Sequence, residues 1–489
     1  MKKLASLVLA LMLVLSVCSF AGAEDDVIKL TWAMGTGSTA PKDNAMVLEE
    51  LNKISREKIG VEVDIQYFTN DQLQNSIQSG EVFDMYFTCS WYNNFNVAVS
   101  NKLFANIWPH LQEWTPDLYA TMPENVWELA KSSDGGLYAI PVKKDYCPEN
   151  FIVYPADKAA ELGFEIPANI EAWDDLTDFL VAWKETLPEN EYPVMVGGNP
   201  PGMETSFDFI DRTVQIGVLF GTTEVVTVYE DPKVMERYHT MNKWYNLGLI
   251  NPDAAQLTED AIDDKHQHLN FVQAWDSVGY GYNCEMTRYS GPFLSTDGVQ
   301  GSMNAFSITL ENDLERFEAA MKYQELVNTD KLYRDTLRYG VQGYHWNYVT
   351  EEQNPACAGG VLKTQVGNDN YGPWAFSQGS YSLASIAVSQ AQVDGTAKAP
   401  VMNQWDLYFA NCENAEVSAI SGFTFDSSKW KANYAEITAI KDQYYKSYAS
   451  GTINIDDVYD EMMEKMNAAG LQDIIEDAQA QLDAYLASK

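Results

Sequence analysis

Apolar positions near the start of the chain follow two alternating periods. Residues 28–34, Ile-Lys-Leu-Thr-Trp-Ala-Met, alternate as a strand does, and Gly35-Thr36-Gly37-Ser38 break the run. Met46, Leu48, Leu51 and Ile54 then recur at helical spacing as far as Lys58, and Gly60 precedes a second alternating stretch through Val61, Val63 and Ile65. A helix over 70–79, closed by Gly80, leads to the apolar strand 82–87 and into Ser90-Trp91-Tyr92-Asn93-Asn94. The order β-α-β-α-β predicts the beginning of a mostly parallel, doubly wound sheet.

The alternation continues downstream. Leu137–Val142 and Phe151–Tyr154 read as strands, Trp173–Trp183 as an amphipathic helix stopped by Pro188, and Val194–Val196 as short and extended. Val234–Leu247, with Gly248 as its cap, and Glu311–Val327 read as helices. Near the end, Val458, Met462 and Met466 share one face before Gly470, and Leu471, Ile474, Ile475, Ala478, Leu482 and Tyr485 form one stripe. A stripe of this kind is expected to pack onto the body of its own domain. No fixed-period repeat or low-complexity linker divides the chain, so lobes that exchange segments are expected rather than a string of separate domains.

The first residues have a different logic. Met1-Lys2-Lys3, an apolar run from Leu4 to Val17, and Cys18-Ser19-Phe20-Ala21-Gly22-Ala23 before Glu24 match a secretory signal over 1–23. The run falls below the roughly 18 residues of a membrane crossing. Two processing routes are open: cleavage before Glu24, or lipidation at Cys18, where Leu15-Ser16-Val17-Cys18 resembles a lipoprotein box with Val17 out of pattern. Either way the mature protein is expected at the cell envelope, on the outer face of the cytoplasmic membrane or in the periplasm.

Charge narrows the partners. With 70 Asp and Glu against 32 Lys and Arg, net −38, nucleic acid is excluded as a partner, because phosphate backbones demand basic stripes. Strongly anionic ligands are also repelled at long range. Beyond the signal the cysteines are Cys89, Cys147, Cys284, Cys357 and Cys412, an odd number with no CxxC pair, so no zinc signature and no small-domain disulfide framework is present. GxSxG, HExxH and P-loop motifs are absent. His266-Gln267-His268 lacks a third ligand, and acid pairs such as Asp174-Asp175, Asp263-Asp264 and Asp456-Asp457 are unremarkable in so acidic a chain. Neither cofactor nor metal is expected.

Several longer stretches carry a resemblance. These are Ser79–Trp91, Gly136–Pro141, Trp244–Ala254, Leu337–Gly343, Gly422–Asp426 and the terminal Ala468–Leu471 with Gln481–Leu486. Through them the chain resembles the family 1 extracellular solute-binding proteins of ABC importers, and in particular the LipO-like subgroup with its own C-terminal domain. The resemblance implies a two-lobed α/β clamp, periplasmic-binding-protein-like of type 2, with hinge strands and a helical C-terminal region. It implies lobe 1 over 24–142 plus 301–345, and lobe 2 over 143–300 plus 346–489, with 422–489 as the LipO-like segment. A monomer that binds a sugar or oligosaccharide and delivers it to membrane permease subunits is then expected, without catalysis.

A neutral sugar offers apolar C–H faces and a rim of hydroxyls, so its site needs aromatic rings beside planar polar groups on loops. Ser90, Trp91, Tyr92, Asn93 and Asn94 fit best, on a loop beyond a strand's carboxyl end. Asp145-Tyr146 and Trp275-Asp276 combine the same chemistry, followed by Trp346-Asn347 and Trp374. The chain has 13 Trp, 28 Tyr and 20 Phe, so most aromatics must serve the core. A peptide-binding receptor on the same clamp and a secreted carbohydrate-active enzyme remain as alternatives.

Overall fold

The computed structural model describes residues 27–35, 40–144, 146–198, 200–258, 267–274, 284–364, 370–372 and 385–489. The signal and Cys18, the loop residues 36–38, and Asp145, His266, Trp275, Asp276 and Trp374 lie outside the described residues. The chain gathers into two compact units, Met1–Thr121 with Asn304–Trp346 and Thr364–Ala384, and Met122–Met303 with Asn347–Lys363 and Ser385–Lys489.

In the first unit β1 (Ile28–Gly35) lies parallel to β2 (Val61–Phe68), in a register that runs from Ile28 opposite Val61 to Gly35 opposite Phe68. On its other side β1 pairs in parallel with β3 (Met85–Thr88), through Trp32 opposite Met85. The strand Met303–Phe306 follows β3 in the sheet. The order β2-β1-β3 means that the chain crosses from one side of β1 to the other between β2 and β3. That reversal creates a switch point beyond the carboxyl ends of β1 and β3.

Local chemistry sets these elements. Helix α1 (Asn44–Ile59) buries Val47, Leu51, Ile54 and Ser55 and ends at Gly60, whose left-handed φ of 68° lets its N–H reach the Arg56 carbonyl. Met46, expected on the apolar face, stays exposed, because the buried stripe is centred one position later. Helix α2 (Asn70–Gln78) starts with a reciprocal capping box between Thr69 and Gln72.

The entry to β3 is pinned by charge. The Asp84 carboxylate accepts from Arg316 Nε at 2.6 Å and Nη2 at 2.8 Å, and from the Thr31 backbone N–H at 2.7 Å and hydroxyl at 2.9 Å. A nearly buried carboxylate held by a forked guanidinium and two neutral donors is fully satisfied, so it orients β3 against β1 instead of destabilising the core.

The second unit centres on an antiparallel sheet with Glu149–Pro155 between Asn270–Ala274 and Cys284–Ser290. Helix Glu124–Ala130 packs beside Thr296–Gln300, and the Gln300 amide donates to the Leu129 and Lys131 carbonyls.

One hydrophobic core joins Ile152, Trp173, Trp183 and Trp244 to residues of the last three helices, α3 (Lys431–Ala449), α4 (Asp456–Ala468) and α5 (Leu471–Ser488). The C-terminal stripe is spent inside the unit: Leu471, Ile474, Ala478 and Leu482 are fully buried, and Ile475 and Tyr485 pack beside them. Among the described residues no helix is long and apolar enough to cross a membrane.

Candidate ligand-binding site

The loop from Cys89 to Asn94 leaves the carboxyl end of β3, at the switch point of the first unit, and its backbone is held from several sides. Asn93 adopts φ of 42°, a left-handed conformation that Asn tolerates better than most residues. Its carbonyl accepts from the Thr88 hydroxyl at 2.6 Å, its N–H donates to Asn70 Oδ1 at 2.9 Å, and its own side-chain oxygen accepts from Gln74 at 3.1 Å. Asn94 caps the following helix by accepting from the Val97 N–H, while its amide donates to the Ser90 carbonyl at 2.9 Å. The buried Tyr92 hydroxyl donates to the Phe68 carbonyl at 3.0 Å, and burial pushes its phenol above the usual range.

Clamping of 92–94 carries Ser90 and Trp91 to the tip. Both are exposed, and Trp91, at 51% of its surface, is among the most exposed large apolar side chains described. Its indole does not hang loose. It meets Phe87 at 6.0 Å between ring centroids and Tyr92 edge-on at 6.2 Å. Gly35, the last residue of β1, makes room for this base: a Cβ there would fall 2.9 Å from Phe87 Cδ1 and 3.4 Å from Tyr92 Cζ. An aromatic plane held by two buried rings and exposed beside a hydroxyl can stack on an apolar ligand face while Ser90 meets a polar edge.

The second unit brings together a set of rings that sequence patterns only half disclosed. Tyr146, buried, tilts against Phe409 at 5.5 Å, and Phe409 stacks on Trp405 at 5.9 Å and 20°. Lys143 places its ammonium 4.6 Å from the Phe409 centroid, and burial lowers that amine's pKa. Trp405 and Phe409 sit four residues apart on the helix Gln404–Cys412, which makes them neighbours on one face. That i, i+4 aromatic spacing is the signal the sequence carries for this pair.

Of the residues expected at a site, Ser90 and Trp91 are exposed, whereas Tyr92, Asn93, Tyr146 and Trp346 are interior. Trp346 is fully buried, with its indole N–H donating to the Gly340 carbonyl at 2.6 Å and its ring beside Tyr339. Asn347 next to it is exposed. His268 places Nδ1 2.9 Å from the Tyr192 carbonyl. Among the described residues no group of three or more His, Cys, Asp or Glu is arranged to hold a metal ion.

Comparison with known proteins follows the same outline. A family model described as a domain of unknown function (DUF3502) matches residues 419–487, overlapping the C-terminal segment singled out from sequence. A Streptococcus pneumoniae serotype 4 protein named as a carbohydrate ABC transporter substrate-binding protein is 24% identical over 463 residues, which span 91% of this chain and 88% of that protein. Among solved structures, the N-glycan transport solute binding protein NgtS of Streptococcus pneumoniae superposes with a TM-score of 0.75 at 21% identity, covering 95% of this chain and 99% of its own. The same protein in complex with Man5GlcNAc gives 0.66, again at 21% identity with 95% and 99% covered. An extracellular solute-binding protein from Bifidobacterium longum subsp. infantis gives 0.61 at 16% identity, with 94% and 99% covered. The fold is thus the two-lobed α/β architecture of solute-binding proteins, as the sequence resemblance implied.

Proposed function

We propose that this chain is the solute-binding component of an ABC importer, which takes up a neutral sugar or oligosaccharide outside the cytoplasmic membrane and hands it to permease subunits without chemical change. The observation that carries the reading is Trp91: an indole half in solvent, beside the Ser90 hydroxyl, on a loop rigidly fixed at the switch point of an α/β sheet. Likeness along nearly the whole chain to proteins named for carbohydrate and N-glycan transport supports the same ligand class. Net charge of −38 favours a neutral ligand over an anionic one. The partly exposed Trp405 and Phe409, backed by the buried Tyr146, offer further aromatic surface of the same chemistry.

Titration calorimetry of the purified protein against a panel of neutral oligosaccharides, high-mannose glycans included, and against a peptide panel tests this. Saturable heat with a glycan, and the same glycan recovered intact, is the expected result. Heat with peptides alone would move the reading to a peptide receptor, and hydrolysed glycan would move it to an enzyme. Mass spectrometry of the native N-terminus tests the location: a lipid on Cys18 anchors the protein at the envelope, while a chain that begins at Glu24 leaves a periplasmic or freely secreted receptor.

A further inference from the structure

Two of the five cysteines described meet in space although 264 residues of chain lie between them in sequence (148–411). Cys147 is fully buried just ahead of the central strand Glu149–Pro155. Its backbone N–H donates to the Tyr408 hydroxyl at 2.7 Å. Tyr408 and Cys412 are one turn apart on the helix Gln404–Cys412, so the face that receives Cys147 is the face that carries Cys412. The Cys412 side chain is accordingly the neighbour that acts most strongly on the Cys147 thiol. The other cysteines are occupied differently: the Cys89 and Cys357 thiols each point at a backbone carbonyl, of Tyr92 and Gln392, and Cys284 sits on the strand Cys284–Ser290.

We propose that Cys147 and Cys412 are a disulfide-forming pair, which covalently ties the segment bearing Tyr146 to the helix bearing Trp405 and Phe409. The order of events follows from access. Cys412 is partly exposed whereas Cys147 is not, so Cys412 as thiolate attacks the sulfur of a disulfide oxidant, either a thiol–disulfide oxidoreductase or a small-molecule disulfide, and releases one thiol. Cys147 then attacks the Cys412 sulfur of the mixed disulfide, its proton passing to the departing thiolate, and releases the second thiol. Two protein thiols become one S–S bond, the oxidant's disulfide becomes two thiols, and two electrons and two protons pass to it. Contact with Cys412 and burial hold the Cys147 thiol well above its usual pKa, which makes it the resolving partner and not the first nucleophile. The bond would lock the contact of Tyr146 with Phe409.

The inference rests on the proposed export only for the oxidising compartment in which the bond would form. Its test is independent of that reading. Full-length protein purified under reducing conditions is exposed to oxidised glutathione, the remaining thiols are alkylated after unfolding, and the digest is mapped without reduction. A peptide joining Cys147 to Cys412 is expected, with two thiols lost from alkylation while Cys89, Cys284 and Cys357 stay modifiable. Cys412→Ser, at a partly exposed position, should lose the cross-linked peptide. Reduction should lower the melting temperature of the oxidised wild-type protein and leave that of the variant unchanged. Recovery of Cys147 and Cys412 both alkylated, or of Cys412 persistently glutathionylated with Cys147 free, overturns the proposal whatever the glycan titrations show.

Discussion

Adjacent residues with similar side chains meet opposite fates in the loop after β3. Tyr92 is 3% exposed and spends its hydroxyl on the Phe68 carbonyl, while Trp91 is 51% exposed and rests on Phe87 and Tyr92. Trp91→Ala is therefore expected to weaken glycan binding by about tenfold to a hundredfold with an unchanged melting temperature. A large fall in melting temperature would instead make the ring structural. A second residue reports on burial rather than binding. Asp208, on the strand Phe207–Asp211, is 3% exposed, and burial raises its carboxyl pKa to about 7, opposed in part by a hydrogen bond from Ser418. The folded protein holds this proton more tightly than the unfolded chain does, so the group's contribution to stability is intact at acidic pH and drains away as pH rises from about 4 towards 7. Asp208→Asn removes the ionisation. Its stability relative to wild type should climb through that window, by about 4 kcal/mol at pH 7 and above, in urea titrations run at a series of pH values. Parallel curves would show that Asp208 ionises normally.

Among elements, the junction of α4 and α5 is the most demanding. Gly470 sits at φ of 99°, and a Cβ there would lie 2.6 Å from Asn433 Nδ2, which itself donates to the Ala469 carbonyl at 2.8 Å. Gly470→Ala combines backbone strain with the displacement of that amide, and a loss of about 2 kcal/mol is expected in chemical denaturation. The melting temperature should fall while the affinity for ligand at low temperature holds. No change would mean that the two helices can be rejoined without a left-handed turn. Sequence showed this junction well: Gly470 falls between two apolar stripes, and the stripes are core residues. The helix Gln404–Cys412 was not visible in the same way, because its rings find partners only through tertiary contact.

For the whole molecule, the clamp that the sequence resemblance implies would close on its ligand by the free energy of the contacts made only in the closed state. Small-angle scattering with a saturating glycan should show a smaller radius of gyration than without it. An unchanged radius with a ligand proven bound by calorimetry would count against the clamp that the resemblance implies. Much of this architecture is legible in the sequence. The parallel sheet of the first unit was carried by strand and helix periods and by glycines that end helices, all of which depend on residues a few positions apart, and the C-terminal region by stripes of one period. The return of Met303–Phe306 to the first sheet depends on pairings distant in sequence, which no local pattern encodes. The candidate site divides in the same way. That the Ser90–Asn94 loop lies beyond a strand's carboxyl end followed from the order of elements, but which of its aromatics faces solvent was decided by the groups that fill the space beneath, Gly35, Phe68 and Phe87, and exposure is a property of that packing and not of the side chain itself.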